Sequence, residues 1–241
     1  VDECSMITEA TKVAIINRYR LCVVIFCGDL GYQLPPTTDK EMTLHHIQKI
    51  VTYTENRRCQ CDKLRDILNT MRFMMKNKKG NYNILSYVYG KFTEQTNVNY
   101  NTTDMILATE HRYKDEWTAK YAKRETLDDE IKKLKKKKKL DKREELRLSI
   151  FTRATGGDVG DKWLVKSNNS EYSNGQIIIG KKPEGVPSDL QHAFTVHSRQ
   201  GETAQKQLII DKRGIHETRM LYTALSRAKY YNQIKIISSI K

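Results

Sequence analysis

Long apolar runs are missing from this 241-residue chain. The longest covers residues 21–27, far below the ~20 residues a helix needs to cross a bilayer. No basic, apolar leader is read at the start either, because Val1, Asp2 and Glu3 open the sequence. The first residue is Val, not Met, which reads as a fragment or a trimmed chain. Cysteine is scarce: Cys4, Cys22, Cys27, Cys59 and Cys61 form no CxxC pair, and Cys59 and Cys61 stand too close for a zinc half-site. Cys22 and Cys27 flank an apolar stretch and read as reduced core residues. A disulfide frame and a structural zinc are thereby set aside, and a reducing compartment is expected. No internal repeat is visible. The expectation is an intracellular protein, in cytoplasm or nucleus, without membrane attachment.

Positive charge is abundant. Lys and Arg number 43 against 29 Asp and Glu, for a net charge of +14 and a pI near 9.5. Such an excess favours a polyanionic partner, although part of it sits in one run, Lys132–Lys139. A hydrophobic content of 38% supports a lean core, and the length suits one large domain or two small ones.

The most informative stretch is residues 192–203, HAFTVHSRQGET. A β-prone run, Ala193-Phe194-Thr195-Val196, ends in small and polar residues, and a second buried-looking strand follows at Gln207-Leu208-Ile209-Ile210-Asp211. Leu221-Tyr222-Thr223-Ala224-Leu225-Ser226-Arg227-Ala228-Lys229 then places an arginine on a short helix. Strand, polar loop, strand and arginine-bearing helix is how an α/β sheet displays polar groups at its carboxyl edge. A loop there can hold a phosphate, and an arginine can neutralise one.

These residues resemble motifs V and VI of superfamily 1 DNA helicases of the RecD/Pif1-like branch. Motif V stands as Thr195-Val196-His197-Ser198-Arg199-Gln200-Gly201-Glu202-Thr203, and motif VI as Tyr222-Thr223-Ala224-Leu225-Ser226-Arg227-Ala228, about twenty residues later. Other stretches resemble the same family in order. Asp2-Glu3-Cys4-Ser5-Met6 is similar to motif II. Gly28-Asp29-Leu30-Gly31-Tyr32-Gln33-Leu34-Pro35-Pro36 is similar to motif III, with three residues instead of two between Asp29 and Gln33. Arg58, with Arg57 as the alternative one residue away, precedes a predicted helix carrying Leu64, Ile67, Leu68, Asn69 and Arg72. Thr109-Glu110-His111-Arg112 lies where motif IV falls. The Gly-Tyr-Gln-Leu-Pro-Pro form and the Lys/Asn-rich composition resemble viral or virus-derived members.

The resemblance implies an α/β fold of two RecA-like P-loop NTPase halves, the first truncated, with parallel sheets. It implies ATP and Mg²⁺ as cofactors and single-stranded DNA as partner, RNA not being distinguished from it. Asp2 would order the metal through water and Glu3 would polarise the attacking water. Gln33 would sense the terminal phosphate, and Arg58 and Arg227 would reach it. Gly201 and Glu202 would border the nucleotide, while Thr195, His197, Ser198, Gln200 and Thr203 would face the nucleic acid. The implied activity is movement along DNA in the 5′→3′ direction.

The remaining expectations come from periodicity and turn chemistry. Helices are predicted over 7–19 and 43–51, and a fully buried parallel strand over 21–26. Residues 71–103 read as a helix plus loop, and 104–109 as a strand. Residues 113–150 read as a charged helical insertion with a thin stripe of Leu127, Ile131 and Leu134, either a solvated arm or one that grips phosphates. Lys162–Lys166 and Gln176–Gly180 flank Asn174-Gly175, a hairpin signal. That gives a small β module over 160–185, with 181–191 as loop and a last strand over 233–238. The boundary between halves is placed between Pro36 and Thr54, giving domains 1–53 and 54–241. The sequence holds no G-x-x-x-x-G-K-S/T loop to cradle the β- and γ-phosphates. Without it the chain alone is expected to hydrolyse little or no ATP. The alternative is a nucleic-acid-binding remnant without motor activity, and a third reading is a basic scaffold acting through the lysine run.

Overall fold

The computed structural model describes residues 1–37, 40–53 and 55–238. The boundary expected between Pro36 and Thr54 runs across Thr38, Asp39 and Thr54, which lie outside the described residues. The chain forms two compact units. Unit 1 holds Val1–Lys91, Gln200–Thr203 and Ile215–Tyr231; unit 2 holds Phe92–Arg199, Ala204–Gly214 and Asn232–Lys241.

Unit 1 is helical. Its helices are α1 (Glu9–Arg18), α2 (Asp62–Lys76), α3 (Asn81–Tyr89) and α7 (Thr218–Leu225). Helix α2 buries Leu64, Ile67, Leu68 and Met71, the i, i+3, i+4, i+7 stripe of an amphipathic helix, against Ile84 and Val88 of α3 and Leu221 and Leu225 of α7. Thr8 caps α1 by accepting the Thr11 N–H at 3.1 Å. The expected helix over 43–51 does not form. Lys12, buried inside α1, donates to the carbonyls of Thr43 and His45 at 3.0 and 2.9 Å, and Glu9 accepts from the Thr43 N–H at 2.7 Å. Main-chain groups that would start a helix are thus already taken.

The expected buried strand over 21–26 is also corrected. Leu21 and Val23 are 95% and 91% exposed, and Cys22 and Cys27 are exposed as well. The stretch forms no strand, and its main-chain pairing is one-sided: the Val1 amine donates to Ile25 O at 2.7 Å, and the Cys27 N–H to Val1 O at 2.8 Å. A parallel strand is buried only between two neighbours and two covering layers. Among the described residues unit 1 supplies no sheet to surround it.

Unit 2 carries the sheets. Strands β1 (Glu94–Gln95), β2 (Met105–Ala108), β6 (Ala193–Thr195), β7 (Leu208–Asp211) and β8 (Ile234–Ile237) form a parallel sheet in the order β1-β8-β7-β2-β6. Ile209 of β7 pairs Ile106 on one side and Lys235 on the other, and all four residues of β7 are buried. Continuous apolar runs of this kind suit strands covered on both faces. Helix α4 (His111–Tyr121) follows β2, and its Trp117 donates from Nε1 to Asp211 Oδ2 at 2.8 Å inside the core.

Helices α5 (Arg124–Lys135) and α6 (Lys142–Arg153) are packed elements, not a wholly solvated arm. Leu127 and Ile131 join Phe151, Trp163 and Leu190 in one buried cluster, while Lys132 and Lys133 stay exposed. Asp141 and Glu144 start α6 with a reciprocal capping box. The small module is a three-stranded antiparallel sheet, β4-β3-β5, built from β3 (Lys162–Val165), β4 (Ile177–Ile179) and β5 (Ser188–Leu190). Strand β5 lies in a stretch read as loop, because Ser-Asp-Leu is too polar and short to signal a strand.

Candidate active site

Most of the predicted site residues belong to unit 1: Asp2, Glu3, Gln33, Arg58, Gln200, Gly201, Glu202, Thr203 and Arg227. Thr195, His197 and Ser198 belong to unit 2, since the chain passes between units after Arg199.

Arg227 follows α7, one residue past its C-cap Ser226. Its side chain is 0% exposed. The guanidinium donates from Nε to Thr223 O at 3.0 Å, from Nη1 to Glu202 O at 3.2 Å and from Nη2 to Ser226 Oγ at 2.8 Å. Arg58 approaches from a different part of the chain. It donates from Nη1 to Ser226 O at 3.3 Å and from Nη2 to Gly201 O at 3.2 Å. Two guanidiniums therefore share Ser226 and adjacent carbonyls of one loop. Burial, and then the charge of Arg58, push the Arg227 group down to about 10, with Glu3 and Glu202 acting the other way. Two like charges held together at the cost of mutual repulsion form a receptor for an anion. Arg57, the alternative, is exposed and pairs with Glu55.

Glu3 lies beside this pair. Its backbone is left-handed (φ 49, ψ 45), a conformation uncommon outside glycine. Its Oε2 is buried without a hydrogen-bond partner. Gly201 has φ +89, and a Cβ there would come within 3.2 Å of Glu3 Oε1, so glycine serves both the turn and the close approach. The neighbouring thiol, Cys4, is raised by burial and by Cys27. Asp2 is exposed, and its Oδ1 accepts the Glu3 N–H at 2.9 Å.

Gln33 and Gln200 meet directly. Gln200 Nε2 donates to Gln33 Oε1 at 2.9 Å and to the buried Ser5 Oγ at 2.8 Å, while Gln200 Oε1 is buried without a partner. Gln33 is held from its backbone side, because Arg219 Nε donates to its carbonyl at 2.5 Å and the same guanidinium grips both oxygens of Glu41. Next to it the Leu34 N–H donates to Thr223 Oγ1 at 3.2 Å. Asp29 Oδ2 accepts from Arg72 Nη2 at 2.5 Å and from the Tyr222 hydroxyl at 3.1 Å. Ser5, Asp29, Gln33, Gln200, Tyr222 and Thr223 thereby belong to connected polar contacts within unit 1. Sequence reasoning missed Arg219 and Glu41, and it quoted Ser5 within a motif without giving it a role; charged and hydroxyl residues of this kind carry no periodic signal.

In unit 2, Thr195 ends β6 and His197 and Ser198 begin a short 3₁₀ turn. Ser198 Oγ donates to Thr195 O at 2.8 Å, and the Ser198 N–H donates to Thr195 Oγ1 at 3.4 Å. Arg199 is buried over the Phe194 ring at 3.9 Å. Ser198 is exposed, and Thr195 and His197 are half-buried.

The residues of unit 1 fit one end of a nucleotide. Two guanidiniums suit the oxygens of a terminal phosphate, and the orphaned Glu3 oxygen suits a water or its proton. Asp2 suits Mg²⁺ held through water, which needs few protein ligands. Among the described residues no three His, Cys, Asp or Glu gather as a metal cage, and no helix is long and apolar enough to cross a membrane.

No protein-family model and no curated sequence matches the chain. Solved structures do. The Bacteroides Pif1 helicase in complex with ADP-AlF3 and ssDNA matches with a TM-score of 0.63 and 18% identity, over 100% of this chain and 70% of that one. The Pif1 helicase from Candida albicans gives 0.57 and 15%, over 99% and 71%. Bacteroides Pif1 bound to ssDNA gives 0.58 and 17%, over 98% and 69%. At such identities the likeness is one of fold: an α/β architecture with a parallel central sheet and a separate small antiparallel sheet, as in these RecA-like helicases.

Proposed function

We propose that unit 1 supplies the terminal-phosphate side of an ATP-hydrolysing site. The intact protein is then an ATP-dependent helicase or translocase of the RecD/Pif1-like branch, moving 5′→3′ on single-stranded DNA. The observation that carries this reading is the convergence of Arg58 and Arg227 on Ser226 and on the carbonyls of Gly201 and Glu202, beside the unpartnered Glu3 oxygen. Bound ATP with Mg²⁺ supplies an activated phosphoanhydride. Arg58 and Arg227 bind the terminal phosphate oxygens and neutralise their charge, the work of arginine fingers. Glu3 accepts the proton of the attacking water at its carboxylate, and Asp2 holds the metal through water. The Gln33–Gln200 hydrogen bond links the phosphate end to the loop that runs back to Thr195, His197 and Ser198. In this reading those three residues in unit 2, and separately Gln200 and Thr203 in unit 1, contact the DNA. Residues 1–53 belong to the first RecA-like half. Residues 54–241 belong to the second, with its helical insertion at 113–150 and β module at 160–185.

One feature supports a second reading. These 241 residues hold no G-x-x-x-x-G-K-S/T loop, and in that reading they bind nucleic acid without motor activity. On either reading, phosphate release from ATP by residues 1–241 alone stays at background, and robust Arg227-dependent turnover would overturn that. Fluorescence anisotropy on labelled oligo-dT separates the readings. A motor core changes its affinity for the strand when ATP and Mg²⁺ are added, and loses that response in Arg227→Ala. A remnant binds with salt-sensitive affinity that ATP leaves unchanged.

A further inference from the structure

Unit 2 contains a cleft of about 220 Å³ between the end of α5, the start of α6 and the small sheet. Five cations line it: Lys133, Lys137, Arg143, Arg147 and Lys166. The carboxylates of the lining are already committed. Asp141 and Glu144 form the capping box of α6, and Glu144 also pairs with Lys137. Glu130 is shared by Lys133 at 3.5 Å, Lys182 at 3.8 Å and Arg147 at 4.0 Å. Asp189 pairs with Lys166 at 3.2 Å. Arg143, in contrast, is exposed and has no ion pair among the described residues. Arg147 Nε is buried without a hydrogen-bond partner.

Positive charge extends behind this lining. Lys114 is 2% exposed, and its carboxylate partner, Asp115, stands at 3.7 Å, beyond hydrogen-bond reach. Burial first, then Arg147 and Arg143, push its ammonium down to about 8. His111 is lowered by burial and by Arg143 and Lys114. Cations that depress one another in one place mark a site short of negative charge, which an anion would relieve. The size of that anion follows from the flank. The run Lys132–Lys139 continues from the cleft through the end of α5 into the turn before α6, with every lysine exposed. One phosphate would engage the cleft and leave the run idle, whereas an extended polyanion would engage both.

We propose that this cleft is a second nucleic-acid site, gripping the phosphodiester backbone through Lys133, Arg143 and Lys166 with the lysine run along its flank. That the polyanion is a nucleic acid rests on the function proposed above. The contacts are to phosphates, so the site reads charge and not sequence.

The test is salt-dependent binding of the 241-residue chain to labelled oligo-dT, compared with the Lys133→Gln/Arg143→Gln/Lys166→Gln variant. Each phosphate contact on a single strand contributes about 0.7 to the slope of log K against log salt. The triple variant is expected to lower that slope by about 2 and to weaken binding at least tenfold at low salt. Lys133→Arg/Lys166→Arg is expected to bind as the wild type does. Should the triple variant fail to fold, Arg143→Gln alone, at an exposed and unpaired position, is expected to lower the slope by about 0.7. An unchanged slope overturns the cleft proposal and leaves the ATP reading intact. Binding that ignores ATP favours the reading without motor activity for these 241 residues and leaves the cleft intact. Loss of binding to phosphatidylserine vesicles or to tripolyphosphate, with oligo-dT binding untouched, would overturn the nucleic-acid assignment in favour of a membrane or a free phosphate.

Discussion

Positive charge is used in two different ways in this chain. In unit 1, Arg227 is fully buried and Arg58 is pinned, each by hydrogen bonds to main-chain carbonyls of the loop at 201–202 or of α7 and its C-terminus. In unit 2, Lys133, Arg143 and Lys166 are exposed, and Lys133 and Lys166 pair with the carboxylates of Glu130 and Asp189. A pinned planar fork has lost its rotamer freedom before any ligand arrives, so it can recognise one anion with defined geometry. Exposed lysines keep that freedom and are screened by salt, so they suit a repeating backbone where register is unimportant. The same formal charge therefore suits a defined anion in one place and, as proposed, a repeating backbone in the other.

The largest expected effect is at Arg227. Arg227→Ala leaves the Thr223 and Glu202 carbonyls and the Ser226 hydroxyl without their donor, and should cost about 3 kcal/mol in urea unfolding. Arg227→Lys keeps the charge without the fork and should fall between. A wild-type urea midpoint for the alanine variant would mean that the guanidinium is not pinned. Next is Asp29→Ala, which removes the acceptor shared by Arg72 and Tyr222 and should cost about 1–2 kcal/mol, because both partners are only partly shielded. Gly201→Ala places a side chain at φ +89 against Glu3 and should cost about 1 kcal/mol; unaltered stability would show that the loop relaxes freely.

The remaining predictions belong to unit 2. The ordinary ammonium pKa is 10.5, and Lys114 in the fold is down at about 8. Between those two values the unfolded chain holds the extra proton, so stability should rise with pH across that window. Below it both states are charged and the burial cost is present in full. Urea midpoints at several pH values check this, and Lys114→Met should flatten the rise; a wild-type curve already flat there would contradict it. The Lys133→Gln/Arg143→Gln/Lys166→Gln variant should change stability by less than about 0.5 kcal/mol while altering nucleic-acid binding.

What was legible in the sequence follows the same division. Strands β2, β7 and β8 were readable because each is an apolar run between two neighbours in the parallel sheet, and β6, at its edge, because its apolar residues Ala193 and Phe194 are buried. Residues 21–26 have the same composition yet none of them is buried, since composition reports a wish for burial and not the presence of partners. Helix α2 declared itself through its stripe. The irregular path of 43–51 did not, because it depends on a buried lysine from α1 that captures two carbonyls. At the site, ordered motifs pointed to Glu3, Gln33, Arg58, Gln200 and Arg227, whose side chains or backbones now meet in unit 1. The Arg219–Glu41 clamp behind Gln33 was invisible, because long-range ion pairs leave no local pattern.

The central claim is that Arg58 and Arg227 receive the terminal phosphate of a nucleotide. The most direct measurement follows the Nε–Hε resonances of arginine-labelled protein, assigned with Arg58→Lys and Arg227→Lys, during titration with ATP and with AMP in the presence of Mg²⁺. The account predicts that ATP shifts both resonances and that AMP, lacking the outer phosphates, shifts neither. Equal responses to the two nucleotides, or none to ATP at saturating concentration, would contradict it.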